Sequence, residues 1–250
     1  MSLKSKLFIY RLIIKDNILD NPNINSEINS FSIKTILNDI KCYKFKEEKI
    51  LYFGIHGNEV TVKLMNKWVN CIFEDAQIQN KQLFVIPCLN IDYERALKNP
   101  DYFNGTIKTN SNNVDLNRNF PTINWSAKSQ LFVAKYSDIS ESASEPEIKA
   151  LLELISKEDI KTIYTFHNCW TVFSLNADKK VLEYSKKSNY KIFTKQSWET
   201  ELIPEQKTHS MEWGPENNIE IIEIELKTRY SEWKQNKSAL INSLSIKNND

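Results

Sequence analysis

Apolar runs alternate with amphipathic stretches along most of the chain. Lys49 to Ile55 is a short apolar run with Gly54 near its end, the pattern of a buried strand. Val60, Leu64, Trp68 and Cys71 then recur at helical spacing, which predicts a helix over 60–73. Leu83 to Leu89 predicts a second buried strand. Residues 90–125 are polar and Asn-rich, too long for an idle connection. Pro146 to Ser156 predicts a helix, with Ser144 as N-cap and Glu147 at the capping-box spacing. Ile160–Phe166 and Ile219–Leu226 predict two more strands, and Tyr230–Leu244 a closing amphipathic helix. Upstream, Leu7 to Lys15 is interrupted by Arg11 and reads as an early strand rather than a secretory signal. Asp16 to Ser30 reads as a loop and Lys247–Asp250 as a frayed tail.

Strands alternating with helices predict an α/β chain: a three-layer α/β/α sandwich around a mixed, largely parallel twisted sheet. No repeat or Pro/Gly/Ser linker divides residues 1–250, so one domain is expected. An apolar content of 41% suffices for a core and excludes disorder for the bulk of the chain. The net charge of +1 points to neither nucleic acid nor a membrane surface as partner, and no apolar run is long enough to span a bilayer. Four scattered cysteines (Cys42, Cys71, Cys88 and Cys169) form no CxxC pair, which predicts a reduced, cytoplasmic chain.

The chain has only four glycines and three histidines, and Gly54 and Gly57 bracket His56. Four polar elements stand out. Gly54-Ile55-His56-Gly57-Asn58-Glu59 places a His and a Glu three apart, on a turn leaving a strand. Such a pair can face one metal ion, or be a turn histidine beside a helix-start acid. In Asn117-Arg118, a guanidinium fork beside a carboxamide suits a substrate carboxylate, or Arg118 is tied to a structural acid such as Asp115. His167 ends a strand, as a ligand or as a core histidine. Glu223 and Glu225 share one strand face, either paired inside the protein or solvated along an edge strand. His56, Asn90, His167 and Glu225 all fall at predicted carboxyl ends of strands, where sites form in parallel sheets.

The order HxxE, then Val114-Asp115-Leu116-Asn117-Arg118-Asn119-Phe120-Pro121, then a strand-ending His and a late Glu-Leu resembles the zinc carboxypeptidases of the carboxypeptidase A type. Ser144-Glu145-Pro146-Glu147 is similar to the bacterial members, and the short length looks most like murein peptide amidases, which cleave γ-D-glutamyl-meso-diaminopimelate. The resemblance covers residues 50 to 230. It implies Zn²⁺ held by His56, Glu59 and His167, with an open fourth position. It implies Glu225 as general base and proton donor, with Asn117 and Arg118 binding the free carboxylate of a peptide or acyl-amino-acid substrate. Relatives carry an oxyanion-stabilising Arg nine residues before the Asn; Lys108 stands there, with Arg95 as a substitute. The family's Gly-rich stretch before the late strand is Thr208–Gly214 with one glycine, and His209 has no assigned role beyond a structural or surface one. The alternative reading is a zinc deacylase of N-acyl amino acids, since aspartoacylases and succinylglutamate desuccinylases share the HGNE and Asp-Leu-Asn-Arg signatures.

Overall fold

A computed structural model of the chain describes residues 12–14, 29–34, 39–44, 50–56, 83–90, 92, 108–131, 139–168, 171–202, 209–226 and 233–246. Nine strands run through them: β1 (Leu12–Ile14), β2 (Asn29–Lys34), β3 (Asp39–Lys44), β4 (Ile50–Gly54), β5 (Leu83–Ile86), β6 (Thr162–Asn168), β7 (Thr171–Phe173), β8 (Lys191–Ile192) and β9 (Glu220–Leu226). They form one sheet in the order β1-β2-β3-β5-β4-β6-β9-β7-β8. The central strands β5, β4, β6 and β9 are parallel. On one side β3 joins β5 antiparallel and continues into the antiparallel pairs β3–β2 and β2–β1. On the other, β7 runs antiparallel to β9.

β4 and β5 are apolar on both faces, while β6 and β9 turn polar on one face toward their carboxyl ends. Parallel sheets need cover on both sides and read as continuous apolar runs. In β4, Leu51 and Phe53 face one core with Ile55, while Ile50 and Tyr52 face the other. The first core is closed by Ile148, Leu151 and Leu154 of the helix Pro146–Lys157, Trp198 of Lys195–Glu201, and Met211 and Trp213 of Ser210–Glu216. The second is closed by Val181 and Tyr184 of Asp178–Ser188, and by Ala239, Leu240 and Leu244 of Trp233–Ser245. In chain order, with the short Lys128–Leu131 as α1, these helices are α2 (Pro146–Lys157), α3 (Asp178–Ser188), α4 (Lys195–Glu201), α5 (Ser210–Glu216) and α6 (Trp233–Ser245). The three-layer mixed sandwich expected from the sequence is therefore present. Each fully buried Leu, Ile or Phe adds roughly 1.5–3 kcal/mol of hydrophobic stabilisation, so the double-sided strands carry much of the fold.

Several expectations need correction. Ser144 does not cap α2: Glu145 is the N-cap residue, makes no side-chain cap bond, and Pro146 opens the helix. Proline suits this first helical position, where its missing N–H costs no helical bond, and the Ser144 hydroxyl donates to the Glu145 carboxylate at 2.9 Å. Asn29 and Ser30, expected in a loop, begin β2. The edge-strand reading of β9 fails, because β9 lies between β6 and β7. The expected helix over 60–73 lies outside the described residues.

Two features follow from a glycine-poor chain. Asn113, Asn189 and Asn218 adopt left-handed backbone, with φ of 61°, 58° and 56°. Asparagine enters this region more readily than other side-chain-bearing residues. Where no side chain fits, glycine remains: a Cβ on Gly214 would stand 2.5 Å from Ile221 Cγ1 and 2.9 Å from the Ile219 carbonyl oxygen, which lets α5 lie against β9. No helix among the described residues is long and apolar enough to cross a membrane.

Glu147 is a buried acid in the first turn of α2, and its Oε2 makes no hydrogen bond among the described residues. Burial, helped by the nearby Asp92 and Glu145 charges, raises its carboxyl to about 7. The folded state therefore prefers the protonated form. The stability this contributes is complete below the unfolded value of 4.5 and is lost as pH rises through about 7. Glu147→Gln, which stays neutral, is expected to stabilise the protein at pH 8 by up to about 3 kcal/mol. The gain should shrink toward pH 5. Denaturant unfolding at both pH values checks this, and an equal effect at both would contradict it.

Candidate metal and substrate-carboxylate site

The parallel strands deliver their carboxyl ends to one rim of the sheet. His56 follows β4, where Leu89 N–H donates to the Gly54 carbonyl and Asn90 N–H to the Ile55 carbonyl. His167 lies near the end of β6, in register with Glu225 of β9, and Thr165 is in register with Glu223. The pleat turns all four toward the core that α2 and α5 cover, since their neighbours Phe166 and Ile224 belong to the opposite core.

The His56 and His167 rings meet edge to face with centroids 5.1 Å apart, and both residues are buried. His56 Nε2 lies 3.0 Å from Asp115 Oδ1. Burial works to raise the Asp115 carboxyl, yet the His56 charge and hydrogen bond, the Arg118 charge and the Asn117 N–H together hold it below its ordinary range. An ionised carboxylate only accepts, so His56 Nε2 carries a proton, and in the neutral ring Nδ1 is the acceptor. A metal-binding histidine is typically held this way, by a carboxylate on its second nitrogen. On the other histidine, His167 Nε2 stands 3.8 Å from Glu223 Oε2. Two buried imidazoles at one strand rim, one with its tautomer set by a carboxylate, fit a divalent cation. Glu59, the third expected ligand, lies outside the described residues, and the remaining residues hold no group of three or more metal-binding side chains.

The second half of the site is the turn Leu116–Arg118, which Asp115 caps by accepting from the Asn117 N–H at 2.9 Å. Asp115 is itself clasped by Gln130, which accepts from its N–H and donates to its carbonyl, at 2.9 and 3.0 Å. Asn117 is buried, and its Oδ1 accepts from the Ser210 hydroxyl at 3.2 Å, leaving its amide N–H₂ as the donor end. Arg118 Nε and Nη1 are buried without a hydrogen bond among the described residues. Arg118 is tied to Asp115 through charge, which lowers the carboxyl, while the carboxylate's hydrogen bonds go to His56 and Asn117. Buried guanidinium donors left unmet are costly, and an incoming carboxylate would meet them.

Sequence reasoning missed Asp115 as the partner of His56 and Ser210 as the partner of Asn117. Their separations of 59 and 93 residues hide both pairings from local pattern. His209 proves to be the buried N-cap of α5, its Nδ1 accepting from Met211 N–H at 3.3 Å and its ring 4.8 Å from that of Trp198. Burial first, then the charges of Arg118, His167 and His56, hold it well below the usual histidine value, so it stays neutral beside the site. Lys108 differs from the rest in being solvent-exposed, on the turn that leads to buried Thr109. Arg95 lies outside the described residues.

The fold is the α/β/α sandwich seen in zinc carboxypeptidase-like structures. The family model for zinc carboxypeptidases matches residues 44–242, so the chain belongs to the zinc carboxypeptidase family, a family of hydrolases. It is 26% identical over 132 residues to murein peptide amidase A of Escherichia coli K12, a match covering 49% of this chain and 50% of that protein. The chain thus spans about half the length of the curated relatives it matches. Among solved structures, the murein-tripeptide amidase of Escherichia coli O157 superimposes with a TM-score of 0.59 at 18% identity, covering 89% of this chain and 92% of the other. An aspartoacylase-family protein from Mesorhizobium loti gives 0.57 at 16%, covering 96% and 72%. At these identities the two structures bear on the fold alone.

Asp115→Asn keeps the shape of the acceptor but removes its charge. It is expected to weaken zinc binding by roughly tenfold or more, as measured by competition with a chromogenic chelator. Unchanged affinity would separate Asp115 from the metal site.

Proposed function

We propose that the chain is a zinc-dependent amidase that releases a residue with a free carboxylate, with γ-D-glutamyl-meso-diaminopimelate in cell-wall peptides as the substrate. The observation that carries this reading is the junction at Asp115, where one carboxylate oxygen receives both His56 and the Asn117 N–H. It joins a metal-binding histidine to a carboxylate-binding turn. Likeness to amidases of murein peptides supports the choice of substrate.

In this reading His56, Glu59 and His167 would hold the metal. Zinc, when bound, supplies Lewis-acid polarisation of the scissile carbonyl and acidification of water. Arg118 and the Asn117 amide bind the leaving residue's carboxylate, bidentately for the guanidinium, and so fix which amide bond lies at the metal. Glu225, in register with His167, takes the proton from the attacking water and returns it to the leaving amine. In this reading the negative charge developing on the carbonyl oxygen is met by Lys108, which stands in the sequence where relatives carry an Arg and is solvent-exposed, or by Arg95.

Zinc-loaded protein is expected to release free diaminopimelate from L-Ala-γ-D-Glu-meso-diaminopimelate, identified by mass spectrometry. Glu225→Gln should lower turnover by about 10²–10⁴-fold while retaining zinc. Hydrolysis of N-acyl amino acids but not of the tripeptide would favour the deacylase reading. Undiminished turnover by Glu225→Gln would move the base to Glu223.

A further inference from the structure

Ser144-Glu145-Pro146-Glu147 stands out in the sequence, but the proposed chemistry leaves Glu145 without a task. Its carboxylate is buried and accepts three side-chain hydrogen bonds. Asn110 Nδ2 and Asn112 Nδ2 donate to Oε2 at 2.7 and 2.8 Å, and Ser144 Oγ donates to Oε1 at 2.9 Å. Its backbone N–H donates to Asn119 Oδ1 at 3.1 Å. Asn119 also donates from Nδ2 to Ser144 Oγ at 3.1 Å, and its carbonyl accepts from the Ala143 N–H at 2.6 Å. Ala143 sits at φ 47°, a left-handed conformation that an alanine adopts only under constraint.

These bonds fall on both sides of the carboxylate-binding pair. Asn110 and Asn112 precede Asn117 and Arg118, and Asn119 follows them directly. Asn110 organises the near side through its Oδ1, which accepts from the N–H groups of Asn112 and Val114, each at 3.1 Å. The Glu145 side chain thus ties the approach to the turn onto the start of α2, while its backbone ties the exit.

We infer that Glu145 is a positioning residue for substrate recognition: it holds the segment 110–119 so that Asn117 and Arg118 face the free carboxylate of the substrate. This inference rests on the reading of those two residues as the carboxylate-binding pair. Glu145 itself touches neither substrate nor metal; it acts through Asn110, Asn112 and Asn119. Oε2 must accept, because it faces two amide donors, whereas Oε1 faces a hydroxyl that can donate or accept. Glutamine has the same shape but is neutral, so its bonds to Asn110, Asn112 and Ser144 lose the charge that strengthens them.

The test compares the tripeptide L-Ala-γ-D-Glu-meso-diaminopimelate with its amide, in which the diaminopimelate carboxyl adjacent to the scissile N–H is blocked, on zinc-loaded protein. Glu145→Gln is expected to raise KM for the free acid about tenfold, with kcat within about twofold. The preference for acid over amide should fall by the same factor. Combining Glu145→Gln with Asn110→Asp reverses donor and acceptor. The introduced carboxamide can then donate to the introduced carboxylate, and the exposed Asn112 can turn its amide oxygen toward the same N–H₂, which should restore KM to within about threefold. Thermal unfolding of each variant supplies the control. A drop in kcat that is equal for acid and amide, tracking lost stability, would make Glu145 merely structural and overturn the inference. So would an unchanged preference in Glu145→Gln. A wild-type protein with no preference for the acid would instead overturn the assignment of Asn117 and Arg118, and with it the proposed function.

Discussion

The site depends on one oxygen atom. Asp115 Oδ1 accepts from His56 Nε2 at the end of β4 and from the Asn117 N–H in the turn that follows. These groups are far apart in the chain and belong to the two halves of the site, so the bond lengths at this atom set the distance between them. The carboxylate is buried, and burial alone would neutralise it. It stays ionised because both of its donors and the Arg118 charge favour the anion over the acid. Gln130 removes the remaining freedom by binding the Asp115 backbone on both sides. A neutral or misplaced side chain here would loosen the tautomer of His56 and the aim of Asn117 together, since both are fixed through the same atom.

The sheet explains why such a junction can form at all. β4, β6 and β9 are parallel and adjacent, so their carboxyl ends lie at one rim and present His56, His167 and Glu225 side by side. Antiparallel neighbours would have sent alternate ends to opposite rims. The parallel arrangement goes with cover on both faces, which the flanking helices provide. The polar rim is thus a consequence of how the apolar residues are packed below it. Glu223 and Glu225 sit inside the sheet because β9 is an interior strand, with histidine from β6 beside them.

What was legible in the sequence was mainly what local pattern encodes. The four central strands, α2 and α6 announce themselves by apolar runs and spacing, and His56, His167 and Glu225 by their positions at strand ends. The strands outside the centre are harder to read. β2 reads Asn-Ser-Phe-Ser-Ile-Lys, and its first two residues blend into the polar stretch before it. Short elements such as β8 and α4 carry too few residues for periodicity to show. α5 was hidden differently: it replaces a stretch expected to be glycine-rich, and its N-cap is a histidine, an unusual choice that works because Nδ1 accepts the Met211 N–H. The pairings that matter most at the site, His56 with Asp115 and Asn117 with Ser210, join residues whose proximity exists only after folding. The resemblance supplied roles for individual residues but not these contacts.

The abundance of asparagine and the scarcity of glycine are two sides of one solution. The described part of the 90–125 stretch holds little regular structure, yet much of it is buried, so its backbone groups cannot rely on ladders or on water. Side chains take the place of a ladder: Asn110 accepts from two N–H groups, Asp92 from Ser111, and Asp115 from Asn117. Asparagine suits this task because it offers an acceptor and a donor on a short arm and also tolerates left-handed backbone, as at Asn113. Glycine would permit the turns but supply none of the bonds, and it would leave the loop with more entropy to lose on folding. A loop that must hold a guanidinium and a carboxamide in fixed directions gains from the first property and is harmed by the second. Its composition therefore suits a rigid, irregular support beneath Asn117 and Arg118.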